Sequence, residues 1–281
     1  MTLIDGKALS KKIQTNIAKQ TQELEKKGIV PGLAVILVGD DPASHAYVGM
    51  KEKACKEVGF YSITHKMPDT ITQEEIIETI KMINNNPRID GILVQLPLPS
   101  HIDTTEILEV IDPAKDVDGF HPYNMGRVVE NLDSFAPCTP LGVMEMFKEY
   151  NIELEGKDVC VVGASNIVGK PMAALLLNKN ATVTITHIFT QDLSSHTKKA
   201  DIIIVGVGKP NLITADMVKD GAVVIDIGIN RLENGKLVGD VDFENVSKKC
   251  SFITPVPGGV GPMTIAMLLQ NTLKAAKRRL K

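Results

Sequence analysis

The chain has 281 residues, 43% of them hydrophobic, enough for a substantial core and for two domains of common size. A net charge of −3, a sequence pI of about 6.1 and no basic block before the tail Lys277 to Lys281 argue against nucleic acid as a partner, because phosphate-backbone binding needs clustered Lys and Arg. Cys55, Cys138, Cys160 and Cys250 form no C-x-x-C pair, there is no apolar N-terminal segment, and apolar runs are strand-length; a soluble cytoplasmic protein is expected, with no disulfide framework, zinc site, signal peptide or membrane span.

Gly6 to Lys27 places Leu9, Ile13, Ile17 and Leu24 near one face ahead of Gly28, the pattern of an amphipathic opening helix. LAVILV, Leu33 to Val38, is a continuous apolar run between glycines, as in a parallel strand covered on both faces. A helix to about Val58 follows, and its stretch YVGMK puts Tyr47 and Lys51 one turn apart on a single face, so that a ring and an ammonium can serve one ligand. The alternative is a packing tyrosine and a solvated lysine. A short strand near Tyr61 to Lys66 and a helix carrying Ile76, Ile77, Ile80 and Ile83 come next, and the alternation indicates an α/β layer architecture.

GILVQLPLP, Gly91 to Pro99, reads as a second strong strand in which Gln95 interrupts the apolar run before two prolines. Its amide falls near the strand's C-terminal end, the edge where open α/β sheets bind ligands, and Lys51 follows a parallel-type strand onto the same edge. A buried glutamine bonding a loop backbone is the competing reading. After a helix from Thr104 to Ile111, the loop KDVDGFHPYN offers Asp116, Asp118 and His121, too few ligands for a convincing metal site. Asp118 suits a carboxylate that binds the amide-like edge of a ligand, or one that closes an Asx-turn. PCTPLGVMEMF then predicts a helix with Thr139 as N-cap, Pro140 at the first helical position and Leu141, Met144 and Phe147 as an apolar stripe; a domain boundary is placed near residue 138.

The second half alternates strand and helix: strands Lys157 to Val162, Ala181 to Thr186, Asp201 to Val207 and Ala222 to Ile229. GASNIVGKPM, Gly163 to Met172, joins the first of these to a helix and lets a pyrophosphate approach backbone N–H groups, although it is not G-x-G-x-x-G. This is a Rossmann-like, doubly wound pattern. The second strand ends THIFT with neither the acid of an NAD site nor an Arg for a 2′-phosphate, so NADP or NAD stays open at this point, with Lys170 and Thr190 as candidate 2′-phosphate contacts. TPVPGGVGPMT, Thr254 to Thr264, specifies a rigid backbone-exposing loop ahead of a final helix from Thr264 to Arg279.

YVGMK, DGILVQLPLP, KDVDG, PCTP, VVGASNIVGKP, VIDIGIN and TPVPGGVGPMT, in this order and spacing, resemble the bifunctional methylenetetrahydrofolate dehydrogenase/methenyltetrahydrofolate cyclohydrolase family, and its bacterial members closely. The resemblance spans nearly the whole chain. It implies a folate cleft between an N-terminal α/β open-sheet domain and a C-terminal Rossmann-like domain binding NADP. The first would be discontinuous, 1–138 plus 265–281, and the second would run 139–264. It implies Lys51 as the catalytic residue with Tyr47, Gln95 and Asp118 beside it, and folate contacts from Val94, Gln95, Leu96, Pro257, Gly258, Gly259, Val260 and Gly261. Gly163, Ala164, Ser165 and Ile229 would contact the dinucleotide; no metal is implied, and a homodimer through the second domain is. Ile188 departs from the Ser or Arg of many relatives.

The chemistry suits these residues. Hydride transfer from the methylene carbon needs positioning rather than an acid or base, because the flanking nitrogens stabilise the cation. Opening the ring with water needs proton movement, for which Lys51 has the reach; as a base it must be neutral, and Gln95 orients it without fixing its charge. Two other classes compete: a dehydrogenase of a small hydroxy or amino acid, for which the first domain offers only Arg88 and Arg127 as carboxylate ligands, and a catalytically silent dinucleotide-binding regulator.

Overall fold

Apolar runs, glycine stops and capping side chains set the elements of this chain, which a computed structural model describes over residues 1–280. Lys281, the last residue of the basic tail, lies outside the described residues. The elements are β1 (Thr2–Leu3), α1 (Gly6–Glu25), β2 (Gly32–Val38), α2 (Pro42–Glu57), β3 (Tyr61–Met67), α3 (Gln73–Asn84), β4 (Gly91–Val94), α4 (Thr104–Val110), α5 (Pro122–Val129) and α6 (Cys138–Glu149). They continue with β5 (Asp158–Val162), α7 (Gly169–Leu177), β6 (Thr182–Thr186), α8 (Leu193–Thr197), β7 (Ile202–Val205), β8 (Val223–Asp226), β9 (Asn230–Arg231), β10 (Leu237–Val238), α9 (Phe243–Val246), β11 (Phe252–Ile253) and α10 (Val260–Lys277). The fold is α/β, in two compact units.

One unit comprises Lys11–Arg127, Asp133–Ala136 and the chain from Ile265 onward. Its parallel sheet has the order β3-β2-β4. All seven residues of the central strand β2 are buried, which its unbroken apolar run requires. Ile76, Ile80 and Ile83 of α3 and Ile107 of α4 pack with Ala34, Ile36, Val38, Ile92 and Val94 in one core. A capping box starts α3, where Thr72 and Glu75 exchange hydrogen bonds.

The other unit comprises Met1–Ser10, Val128–Leu132 and Pro137–Thr264. Its sheet runs β1-β11-β8-β7-β5-β6, all parallel, and β9 and β10 form a separate antiparallel pair. From β5 the chain passes to β6 on one side and then to β7 on the other, so the strand order reverses between β5 and β7.

Several expectations are corrected. Met1–Ser10 groups with the second sheet, because Thr2 N–H donates to Ser251 O at 2.6 Å and Ile4 N–H to Ile253 O at 2.8 Å. Part of the segment treated as a loop is helix α5. Thr139 is not an N-cap: α6 begins at Cys138 with no side-chain cap, and the Thr139 hydroxyl bonds that of Thr264 at 2.9 Å. The final helix starts at Val260, so the end of the glycine loop forms its first turn. β4 stops at Val94, although Gln95 still donates its N–H to Ile36 O at 2.9 Å.

Candidate active site

Helix α2 starts where the sequence provides a cap. The Asp41 carboxylate accepts the Ser44 N–H at 2.8 Å, Pro42 takes the first turn, and that bond holds the Asp41 carboxyl below its ordinary range. Two turns on, Tyr47 is 36% exposed while Lys51 is only 8% exposed. The Lys51 Nζ donates to Gln95 Oε1 at 2.9 Å, and Gln95 Nε2 donates to Leu96 O at 2.7 Å. The glutamine is thereby fixed at both ends of its amide, with its oxygen facing the Lys51 Nζ. Val94 is buried at the end of β4, and Gln95 and Leu96 are half-buried. Behind them burial pushes the Cys55 thiol up to about 12, Glu52 adding to the shift and Lys51 opposing it. Tyr47, Lys51, Val94, Gln95 and Leu96 all belong to one unit.

Asp118 lies half-buried in the same unit. The turn there is organised by its neighbour Asp116, which accepts N–H groups from Gly119, Phe120 and His121 at 2.9–3.2 Å and the Asn124 amide at 2.8 Å. Burial raises the Asp116 carboxyl, and those bonds oppose the rise. No group of three His, Cys, Asp or Glu among the described residues is placed to hold a metal ion. Arg88 lies over the Tyr61 ring, and Arg127 donates Nε–H to Asp133 O at 2.8 Å.

The loop Pro257 to Gly261 belongs to the other unit. A Cβ on Gly6 would stand 1.9 Å from Gly259 O, and Lys7 N–H donates to Gly258 O at 2.9 Å, so the start of α1 is fitted to this loop. Gly258 has φ +103°, which favours glycine. A Cβ on Gly261 would lie 3.6 Å from Ile229 Cδ1, which brings together two of the residues singled out from sequence. Ile229 is 45% exposed.

In that unit Gly163 follows β5 with φ +116°, and a Cβ there would meet Gly206 O at 2.8 Å and Val207 Cγ1 at 3.1 Å. A Cβ on Gly169 would meet Gly163 O at 1.9 Å. Two glycines six residues apart thus let strand end and helix start approach closely, as a dinucleotide turn requires. Ser165 Oγ accepts the N–H groups of Val168 and Gly169 at 3.2 and 3.4 Å, and Ala164 is half-buried. Lys170 Nζ donates to Asn166 Oδ1 at 2.6 Å, Thr190 Oγ1 accepts His187 N–H at 3.0 Å, and Ile188 is 92% exposed. Sequence reading missed two buried carboxylates beside this turn, Asp226 and Asp240. The available signal was an acid closing the apolar strand VVID.

Comparison with known proteins agrees over both units. Residues 4–118 match a family model described as the tetrahydrofolate dehydrogenase/cyclohydrolase catalytic domain, and residues 137–280 match its NAD(P)-binding domain. The chain is 76% identical to "Bifunctional protein FolD" of Sulfurovum sp. (strain NBC37-1) over 99% of this chain and 100% of that one. It is similar to the crystal structure of the bifunctional methylenetetrahydrofolate dehydrogenase/cyclohydrolase of Campylobacter jejuni, at 59% identity and a TM-score of 0.99, covering 99% of both chains. A Trypanosoma brucei methylenetetrahydrofolate dehydrogenase-cyclohydrolase, solved with NADP cofactor and inhibitor, is 38% identical with a TM-score of 0.96 over 100% of this chain and 99% of that one. By its fold, its strand-end glycine turn and these full-length matches, the chain belongs to the tetrahydrofolate dehydrogenase/cyclohydrolase family.

Proposed function

We propose that this chain is a bifunctional enzyme of folate one-carbon metabolism. It oxidises 5,10-methylenetetrahydrofolate to 5,10-methenyltetrahydrofolate with NADP⁺ as hydride acceptor, and hydrolyses the product to 10-formyltetrahydrofolate. The observation that carries this reading is a buried lysine whose Nζ is held 2.9 Å from a neutral amide oxygen in a chain of this family. The amide oxygen fixes the direction of the Lys51 amine, and a lysine so placed can move protons to and from a substrate beside it.

Bound NADP⁺ supplies the hydride acceptor, and the turn at Gly163, Ala164 and Ser165 with Ile229 is the part of this chain that would hold it, because the glycines bring the strand end and the start of α7 together as a dinucleotide turn requires. On the folate, Lys51 takes the proton of the attacking water and returns one to the ring nitrogen that leaves. Tyr47 flanks the reacting carbon, Asp118 binds the pterin end, and Val94, Gln95, Leu96 and Pro257 to Gly261 contact the substrate; the family resemblance supports these assignments. Lys51→Met is expected to lower hydrolysis of methenyltetrahydrofolate by about a hundredfold or more while hydride transfer continues. Wild-type hydrolysis rates in that variant would remove Lys51 from the mechanism.

The protein acts in the cytoplasm as a homodimer in this reading. No helix among the described residues is long and apolar enough to cross a membrane. Light scattering on the purified chain is expected to give twice the 30.5 kDa chain mass, and a monomer would refute the dimer.

A further inference from the structure

The C-terminal ends of β7 and β8 are tied together by two carboxylates with no part in the chemistry above. Asp240, fully buried, follows the β9–β10 pair. Its Oδ2 accepts the N–H of Val207 at 2.6 Å and that of Gly208 at 3.0 Å, and its Oδ1 accepts the Asn230 amide at 2.8 Å. Asp226, 3% exposed, is the last residue of β8. Its Oδ1 accepts N–H groups from Gly228 at 2.9 Å and Asp240 at 3.0 Å, and its Oδ2 accepts that of Val241 at 2.9 Å.

The backbone is shaped to admit both acids. A Cβ on Gly228 would lie 2.3 Å from Asp240 Oδ1, and one on Gly239 would lie 1.9 Å from Asp226 Oδ2. Burying two carboxylates side by side is unfavourable: desolvation pushes the Asp226 carboxyl up to about 6, and the Asp240 charge adds to the rise. Such an arrangement persists where several N–H groups of separate loops must be held by strong acceptors at once.

What the acids hold lies at the place where this fold binds ligands, the strand ends beside the reversal of strand order between β5 and β7. Val207, fixed by Asp240, borders Gly163, since a Cβ there would touch Val207 Cγ1 at 3.1 Å. Ile229 sits between Gly228, held by Asp226, and Asn230, held by Asp240.

We propose that Asp240, backed by Asp226, is a positioning residue for the dinucleotide: it fixes the Val207–Gly208 turn and the Gly228–Asn230 segment in the geometry that receives the cofactor. The inference rests on the reading of this sheet edge as the NADP site. Asp240→Asn keeps the shape but turns an amide N–H₂ toward N–H donors. It is expected to raise the KM for NADP⁺ at least tenfold with kcat within threefold, while hydrolysis of directly supplied methenyltetrahydrofolate, measured without dinucleotide, stays within twofold. Asn230→Ala, which removes one donor, is expected to raise the same KM two- to fivefold and carries the test if Asp240→Asn does not fold. An unchanged KM for NADP⁺ beside an active wild type overturns the positioning role alone. So does a parallel fall of both activities, which marks Asp240 as a general fold residue. A wild type that reduces no NADP⁺ overturns this role together with the functional reading beneath it.

Discussion

Lys51 and Asp226 are both buried ionisable groups, and their partners give them different consequences. Lys51 donates to the Gln95 amide oxygen at 2.9 Å, which fixes the direction of its amine. Asp226 meets three N–H groups and a second carboxylate, and desolvation still dominates, leaving its carboxyl at about 6 against an ordinary 3.8. In the window between those values the folded protein retains a proton that the unfolded chain has released. Stability contributed by this group is therefore complete below pH 3.8 and lost as pH rises through about 6, a loss of about 3 kcal/mol. Asp226→Asn removes that titration, so the difference between variant and wild type should move in the variant's favour as pH is raised from 4 to 7. Urea midpoints would show it, and a pH-independent difference would contradict it. At this scale the sequence put Lys51 and Gln95 after parallel strands, and the structure brings their side chains within a hydrogen bond of each other. The sequence did not reveal Asp226 or Asp240, because their significance depends on loops far apart in the chain meeting at one point.

Among the elements, the start of α7 is the most tightly constrained. The Cβ of Gly169→Ala would overlap Gly163 O and approach the Gly163 carbonyl carbon at 2.7 Å, and backbone atoms cannot yield as a side chain can. The variant is expected to lose about 2 kcal/mol or more of stability and to raise the KM for NADP⁺ more than tenfold; an unchanged KM would show that the turn does not touch the cofactor. Strands β2, β5 and β8 were legible because buried parallel strands are continuously apolar. Helix α5 was not, since it is eight residues long and its start is fixed by bonds to Asp116 and His121 rather than by an apolar stripe. The start of α10 was misplaced because Val260 and Gly261 resemble loop residues in a glycine- and proline-rich segment.

Across the molecule, the division into two units followed from the pattern of strands, but the assignment of the first ten residues did not. Their two-residue strand β1 has no periodicity of its own and exists through pairing with β11, near the other end of the chain. The family resemblance extends over both units, and the central claim joins them functionally: one chain performs hydride transfer and ring opening in succession, with Lys51 required for the second step. The most direct test mixes methylenetetrahydrofolate with NADP⁺, or with NAD⁺ in parallel, and follows reduced nicotinamide and methenyl-folate absorbance together in wild type and Lys51→Met. Reduced cofactor should form in both proteins, faster with NADP⁺, while methenyl-folate accumulates beyond its spontaneous decay only in the variant. Clearance of methenyl-folate by Lys51→Met at the wild-type rate, or a wild type that reduces neither dinucleotide, would contradict the account.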